Sequence, residues 1–128
     1  MRDVRGISQI INEMSCKIID KTNSKCISAD ARVAKTFFQR LVGLLSRASL
    51  STEEALIFYN VSSIHMFFMR FPIDVLYLDK EMKVLKIKHS LLPWRMSSCL
   101  GAKTTIELPA GKAKESLVKI GDTLEFIS

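Results

Sequence analysis

Apolar and polar positions change their spacing twice along these 128 residues, and each change marks a new kind of element. Cys16-Lys17-Ile18-Ile19 and Lys25-Cys26-Ile27-Ser28 are short β-friendly runs on either side of the polar Lys21-Thr22-Asn23-Ser24, a hairpin pattern. From Asp30 the spacing widens. Val33, Phe37, Phe38, Leu41, Leu44 and Leu45 recur every three or four residues with polar residues mostly between them. That periodicity predicts an amphipathic helix from Ala34 to Leu45. Gly43 weakens it by up to about 1 kcal/mol relative to alanine, which a close helix–strand contact would explain.

Beyond the helix the pattern returns to strands. Ala55-Leu56-Ile57-Phe58-Tyr59 is a continuous apolar run suited to burial on both faces. Ile73 to Leu78 is another, with Asp79 to Met82 as a turn and Lys83 to His89 as the returning strand. Lys86 and Lys88 project to one face of that strand, and Leu85, Ile87 and His89 to the other. Thr104 to Leu108 reads as a further strand stopped by Pro109-Ala110-Gly111, before a short helical turn from Lys112 to Leu117. Gly121-Asp122 then signals a tight turn into a last strand, Thr123 to Ile127. Six or seven short strands and one helix, without strand–helix alternation, argue against a doubly wound sheet. The prediction is a β-rich α+β fold: a small, mostly antiparallel barrel or curled sheet with one amphipathic helix packed on it. Residues 1–14 read as an N-terminal arm and 15–128 as a single β-rich domain.

Composition narrows the partners. The net charge is +6, yet the lysines form no run, so a solvated surface is favoured over nucleic-acid binding. No apolar run reaches the roughly 18 residues a membrane helix needs. The stretch from Ile7 to Ile11 is too short and polar for a signal-peptide core, so the expected location is cytoplasmic. Cys16, Cys26 and Cys99 lack metal-ligand spacing. Cys16 and Cys26 could face one another across the hairpin, but buried or half-buried thiols are the expectation for a cytoplasmic chain. No cofactor or metal is expected, and the chain is read as a monomer.

The chemistry concentrates between His65 and Asp79, where His65, Arg70 and Asp74 lie within a run of large apolar residues. A buried polar group without a partner costs about 1–3 kcal/mol or more, so these side chains should pair or serve a ligand. Asp74 is expected to be buried, accepting backbone amides or pairing with Arg70 or Arg95. His65 follows Ser62 and Ser63, but no Gly-x-Ser-x-Gly elbow accompanies them, and a hydrolase triad is not supported. Met66 and Met69 could offer thioethers to a soft ion, though methionine more often fills a core. In Leu92-Pro93-Trp94-Arg95, the only tryptophan could stack on a ligand while Arg95 meets an anion. Glu107 could face the same space.

With these residues in view the chain resembles the domain of unknown function 192 family, found in bacteria and archaea. The likeness runs from about Val33 to Phe126. It is carried by Arg40-Leu41-Val42-Gly43-Leu44-Leu45, Ser63-Ile64-His65, Phe68-Met69-Arg70-Phe71-Pro72-Ile73-Asp74-Val75 with Leu78-Asp79, Pro93-Trp94, Ile106-Glu107-Leu108-Pro109-Ala110-Gly111 and Gly121-Asp122. The resemblance implies a compact β-rich fold and no established activity, cofactor or partner. Relatives usually carry glycine at the position of Met82, so a longer or different hairpin turn is expected here. They also often carry a smaller polar residue at the position of Met66.

The functional expectation is a non-catalytic binding or accessory module. Its groove would lie near His65, Met69, Arg70, Asp74, Trp94, Arg95 and Glu107 and would hold a small molecule or peptide. The rival is a hydrolase or lyase using His65 as base with Asp74 or Glu107 as its carboxylate. A weak nucleic-acid binder is the third reading.

Overall fold

A computed structural model describes residues 15–34, 50–67 and 69–128. The predicted arm at 1–14, and the predicted helix beyond Ala34, lie outside the described residues. Among the described residues the chain forms β1 (Cys16–Asp20), β2 (Lys25–Val33), β3 (Glu54–Tyr59), β4 (Ser63–His65), β5 (Ile73–Leu78), β6 (Val84–Leu91), β7 (Met96–Ser98), β8 (Thr104–Pro109), a one-turn helix α1 (Lys112–Glu115) and β9 (Leu124–Ile127). Seven strands make one sheet in the order β6-β5-β8-β3-β2-β1-β9, and β4 and β7 make a separate ribbon.

The sheet curls until its two edge strands meet. Lys83 and Thr123 form an isolated antiparallel bridge between the start of β6 and the start of β9. Around it, Val84 N–H donates to the Asp122 carbonyl at 2.8 Å, Gly121 N–H to the Val84 carbonyl at 2.8 Å, and Leu124 N–H to the Met82 carbonyl at 2.9 Å. This seam closes one end of the barrel and satisfies backbone groups that an open edge would leave exposed. The predicted hairpins β1–β2 and β5–β6 are both present. One pair departs from the antiparallel pattern: β2 and β3 run parallel, from Asp30 opposite Glu54 to Val33 opposite Ile57. Parallel neighbours need a crossover rather than a tight turn, and the connection here spans residues 34–53.

β5 is buried along its whole length and divides two hydrophobic cores. By strand alternation Leu76 and Leu78 join one core with Ile18, Ile57, Ile106 and Leu124. Ile73, Val75 and Tyr77 join the other with Ile64, Met66, Met69 and Phe71. The two methionines that could have served a soft ion are therefore core filler, with Met66 fully buried and Met69 nearly so.

Several expectations need correcting. Cys16 pairs in register with Ala31 and Cys26 with Ile19, so the two thiols are not opposite each other. All three cysteines are free, and Cys26 is exposed rather than half-buried. Tyr59, at the end of the apolar run in β3, is exposed. The short strands β4 and β7 were not foreseen. In the β5–β6 turn, Asp79 accepts from Glu81 N–H at 2.8 Å and Lys83 N–H at 3.0 Å, while Met82 itself takes the left-handed backbone, φ 67°. A side chain is thus tolerated in a backbone conformation that favours glycine.

Candidate functional site

Asp74 shares the face of Leu76 and Leu78 and is wholly buried. Its partners are amides. Oδ1 accepts Ser90 N–H at 2.8 Å, and Oδ2 accepts Gly111 N–H at 3.0 Å and Ala113 N–H at 2.9 Å. The carboxylate therefore caps α1 from a neighbouring strand, supplying the acceptor that the first turn of a helix lacks. Two local distortions aim these donors. β6 carries a register irregularity between Leu91 (opposite Ile73) and Lys88 (opposite Val75), and Ser90 sits there with φ 49°. Gly111 has φ 91°. An added Cβ there would meet nothing within 4 Å, so Gly111→Ala should cost about 1–2 kcal/mol through the backbone alone, measurable by urea unfolding. Neither Arg70 nor Arg95 pairs with Asp74; both are exposed.

Glu107 is also wholly buried, but on the other face of the sheet. Asp74 pairs with Leu108 of the first core, whereas Glu107 pairs with Val75 of the second. The two carboxylates thus point away from one another and cannot share one site. On the Glu107 face, burial raises the Tyr77 phenol above its usual range. The polar Ser97 side chain works against this rise, and the nearby Cys99 and Glu107 groups add to it. The Thr105 hydroxyl ties this face to the chain below by donating to the Val61 carbonyl.

His65, at the end of β4, stacks on Phe67 with ring centroids 5.5 Å apart, and Phe67 lies 6.1 Å from Trp94. The turn carrying Trp94 is fixed through Met66: Met66 N–H donates to the Arg95 carbonyl at 2.9 Å, and Trp94 N–H to the Met66 carbonyl at 2.8 Å. Trp94 adopts φ 67° and remains 59% exposed, with Phe67 40% and Met96 60% exposed. Beside this aromatic array, two clefts run between β6 and β7. One, of about 310 Å³, is lined by Lys86, Lys88, Met96, Ser97 and Ser98. The other, of about 250 Å³, is lined by Lys88, Ser90, Leu91, Leu92, Arg95 and Met96. They share Lys88 and Met96 and so form one trough. Lys86 spans it, donating to the Ser98 carbonyl at 2.8 Å with its ammonium 5.8 Å from the Tyr77 ring centroid.

Of the site residues expected from sequence, the structure brings His65, Trp94 and Arg95 to this end of the fold. Met69 lies in the second core, Arg70 lines neither cleft, and Asp74 and Glu107 are inside the sheet. Asp74 still bears on the trough, because the amide it holds belongs to Ser90 in the wall. Sequence reasoning missed Lys86, Lys88 and Met96 as trough residues. The signal was the alternation of Lys86 and Lys88 on one face of β6, which reads equally well as a solvated edge.

The family model described as Uncharacterized ACR, domain of unknown function 192, matches residues 18–126. The chain belongs to this family. Archaeal members of the domain of unknown function 192 family align along most of it. A UPF0127 protein of Thermococcus sibiricus is 36% identical over 116 residues, covering 85% of this chain and 73% of the relative. A UPF0127 protein of Pyrococcus abyssi is 34% identical over 119 residues, covering 87% and 97%. Two solved structures share the fold at 20% identity. A candidate transcription regulator from Sinorhizobium meliloti 1021 has a TM-score of 0.73, with 88% of this chain and 92% of that one covered. A protein of unknown function from Novosphingobium aromaticivorans has a TM-score of 0.71, with 87% and 83% covered.

Proposed function

We propose that this domain of unknown function 192 protein is a non-catalytic binding module whose ligand carries a carboxylate or phosphate and an apolar part. The observation that supports this reading most is the composition of the trough. Three cationic side chains, Lys86, Lys88 and Arg95, line it with Ser90, Ser97, Ser98 and the apolar Leu92 and Met96, and no carboxylate is among the described lining residues. Such a surface attracts anions, and the exposed indole and thioether beside it offer contact area to the rest of a ligand. A catalytic reading has less support. The Asp74 oxygens are occupied by three amides, and Glu107 lies on the opposite sheet face, so the two carboxylates are not arranged as alternative orienters of one base.

Trp94, the only tryptophan, makes the trough self-reporting by fluorescence. Titration with succinate or inorganic phosphate should give a saturable change in its emission. Lys88→Glu combined with Arg95→Glu should weaken that binding at least tenfold, about 1.4 kcal/mol. Both side chains are exposed, so unfolding free energy should move by no more than about 0.5 kcal/mol per substitution. Equal binding by parent and double variant, or no saturable response from the parent, would refute the reading.

A further inference from the structure

The trough has a second property besides its charge: one wall is an open strand edge. β7 pairs with β4 in the register Ser63 opposite Ser98, Ile64 opposite Ser97 and His65 opposite Met96. In the same register, Cys99 N–H donates to the Ser62 carbonyl at 2.9 Å and Met66 N–H to the Arg95 carbonyl at 2.9 Å. Antiparallel ladders alternate, so the pair between these two, Ile64 with Ser97, is the hydrogen-bonded one. The amides and carbonyls of Met96 and Ser98 then point away from β4, towards β6. Lys86 confirms the direction, because its ammonium reaches the Ser98 carbonyl from across the trough. Among the described residues no strand pairs with this side of β7.

From this geometry we infer that the partner is an extended peptide bearing acidic side chains at alternate positions, which adds as a third strand to the β4–β7 ribbon. The inference rests on the anion-binding reading above and names the ligand's chemistry. An added strand would pair its backbone with Met96 and Ser98, displacing the Lys86 ammonium from the Ser98 carbonyl and freeing it for an acidic side chain. Its side chains alternate between two faces, so every second one would meet Lys86, Lys88 and Arg95 while the others face solvent. The trough's length suits a short segment: its mouth runs from Ser98 and Lys86 to Arg95 and Leu92. Main-chain pairing supplies sequence-tolerant affinity in such recognition, and the side-chain contacts supply selectivity.

The test is an amide-resolved NMR titration of the full chain with a blocked seven-residue peptide alternating glutamate and threonine. The expected result is saturable shifts at Met96, Ser98 and along β6, with slowed hydrogen exchange of the Met96 and Ser98 amides. N-methylation of alternate peptide amides should weaken binding at least tenfold in one register and leave the other register within about twofold of the parent, because only one edge of an added strand pairs. A peptide alternating lysine and threonine should not bind. Equal binding by both N-methylated forms would overturn strand addition yet leave the anion-binding trough standing, as would succinate binding without peptide binding. If neither succinate nor the acidic peptide shifts these resonances, both readings fall.

Discussion

Asp74→Ala is expected to lower the free energy of unfolding by about 3–4 kcal/mol, the largest effect of any single substitution considered for this chain. The carboxylate is wholly buried and accepts three amides, from Ser90, Gly111 and Ala113. Hydrogen bonds to a charged acceptor are stronger than neutral ones, and truncation would leave donors facing a void. Asp74→Asn keeps the volume but turns an N–H₂ towards amides that need an acceptor, so it should cost about 2 kcal/mol. Urea unfolding monitored by circular dichroism separates the three proteins. A loss below 1 kcal/mol for the alanine variant would mean that α1 and the irregular end of β6 are held by something else. Because Ser90 lines the trough, the asparagine variant should also bind succinate more weakly than the parent while remaining folded.

The second expected result concerns pH. Asp20→Asn should match the parent in stability near pH 4 and exceed it by about 2–3 kcal/mol above pH 7. Burial, first, and then the hydrogen bond and charge of Asp122 push the Asp20 carboxyl up from its ordinary 3.8 to about 6, against the lowering influence of the Thr22 and Asn23 amides. Thr22 N–H lies 2.9 Å from Oδ1. The folded state therefore holds this proton more tightly than the unfolded chain does. The stabilisation is complete below about 3.8 and is lost as pH rises through about 6. Asparagine mimics the protonated acid: its carbonyl accepts from Thr22 and its amide can donate to Asp122. The parent-minus-variant difference, measured at several pH values, isolates this pair from all other carboxylates. A difference that does not change between pH 4 and pH 7.5 would show that the folded state does not hold the Asp20 proton more tightly than the unfolded chain does. Asp122 belongs to the barrel seam through its carbonyl, so the same charge acts where β6 meets β9.

Much of the fold was legible where apolar spacing and turn chemistry agreed. Asp79 with its following polar residues marked the β5–β6 turn, and Gly121-Asp122 marked the entry to β9. β4 and β7 were invisible because three-residue strands such as Ser63-Ile64-His65 show no measurable period. The parallel β2–β3 pair was equally hidden, since strand patterns carry no direction. Within the candidate site, the burial of Asp74 followed from Ile73 and Val75 on one face and Leu76 and Leu78 on the other. Its partners did not follow, because backbone amides leave no mark on a sequence and the two arginines did. Lys88 was hidden for a related reason: a lysine on a strand looks the same whether it faces bulk water or a trough.

The ladder between β1 and β9 sets Lys17 against Ile127, near opposite ends of the described chain. During synthesis β1 is therefore made long before the strand that covers its flank. Contacts of such separation are slow to form, because a long loop must close before any of them rewards it. A nascent chain halted before residue 124 should accordingly present a sticky ribbon to the translation machinery's holding chaperones, and protease resistance should arrive in a single late step.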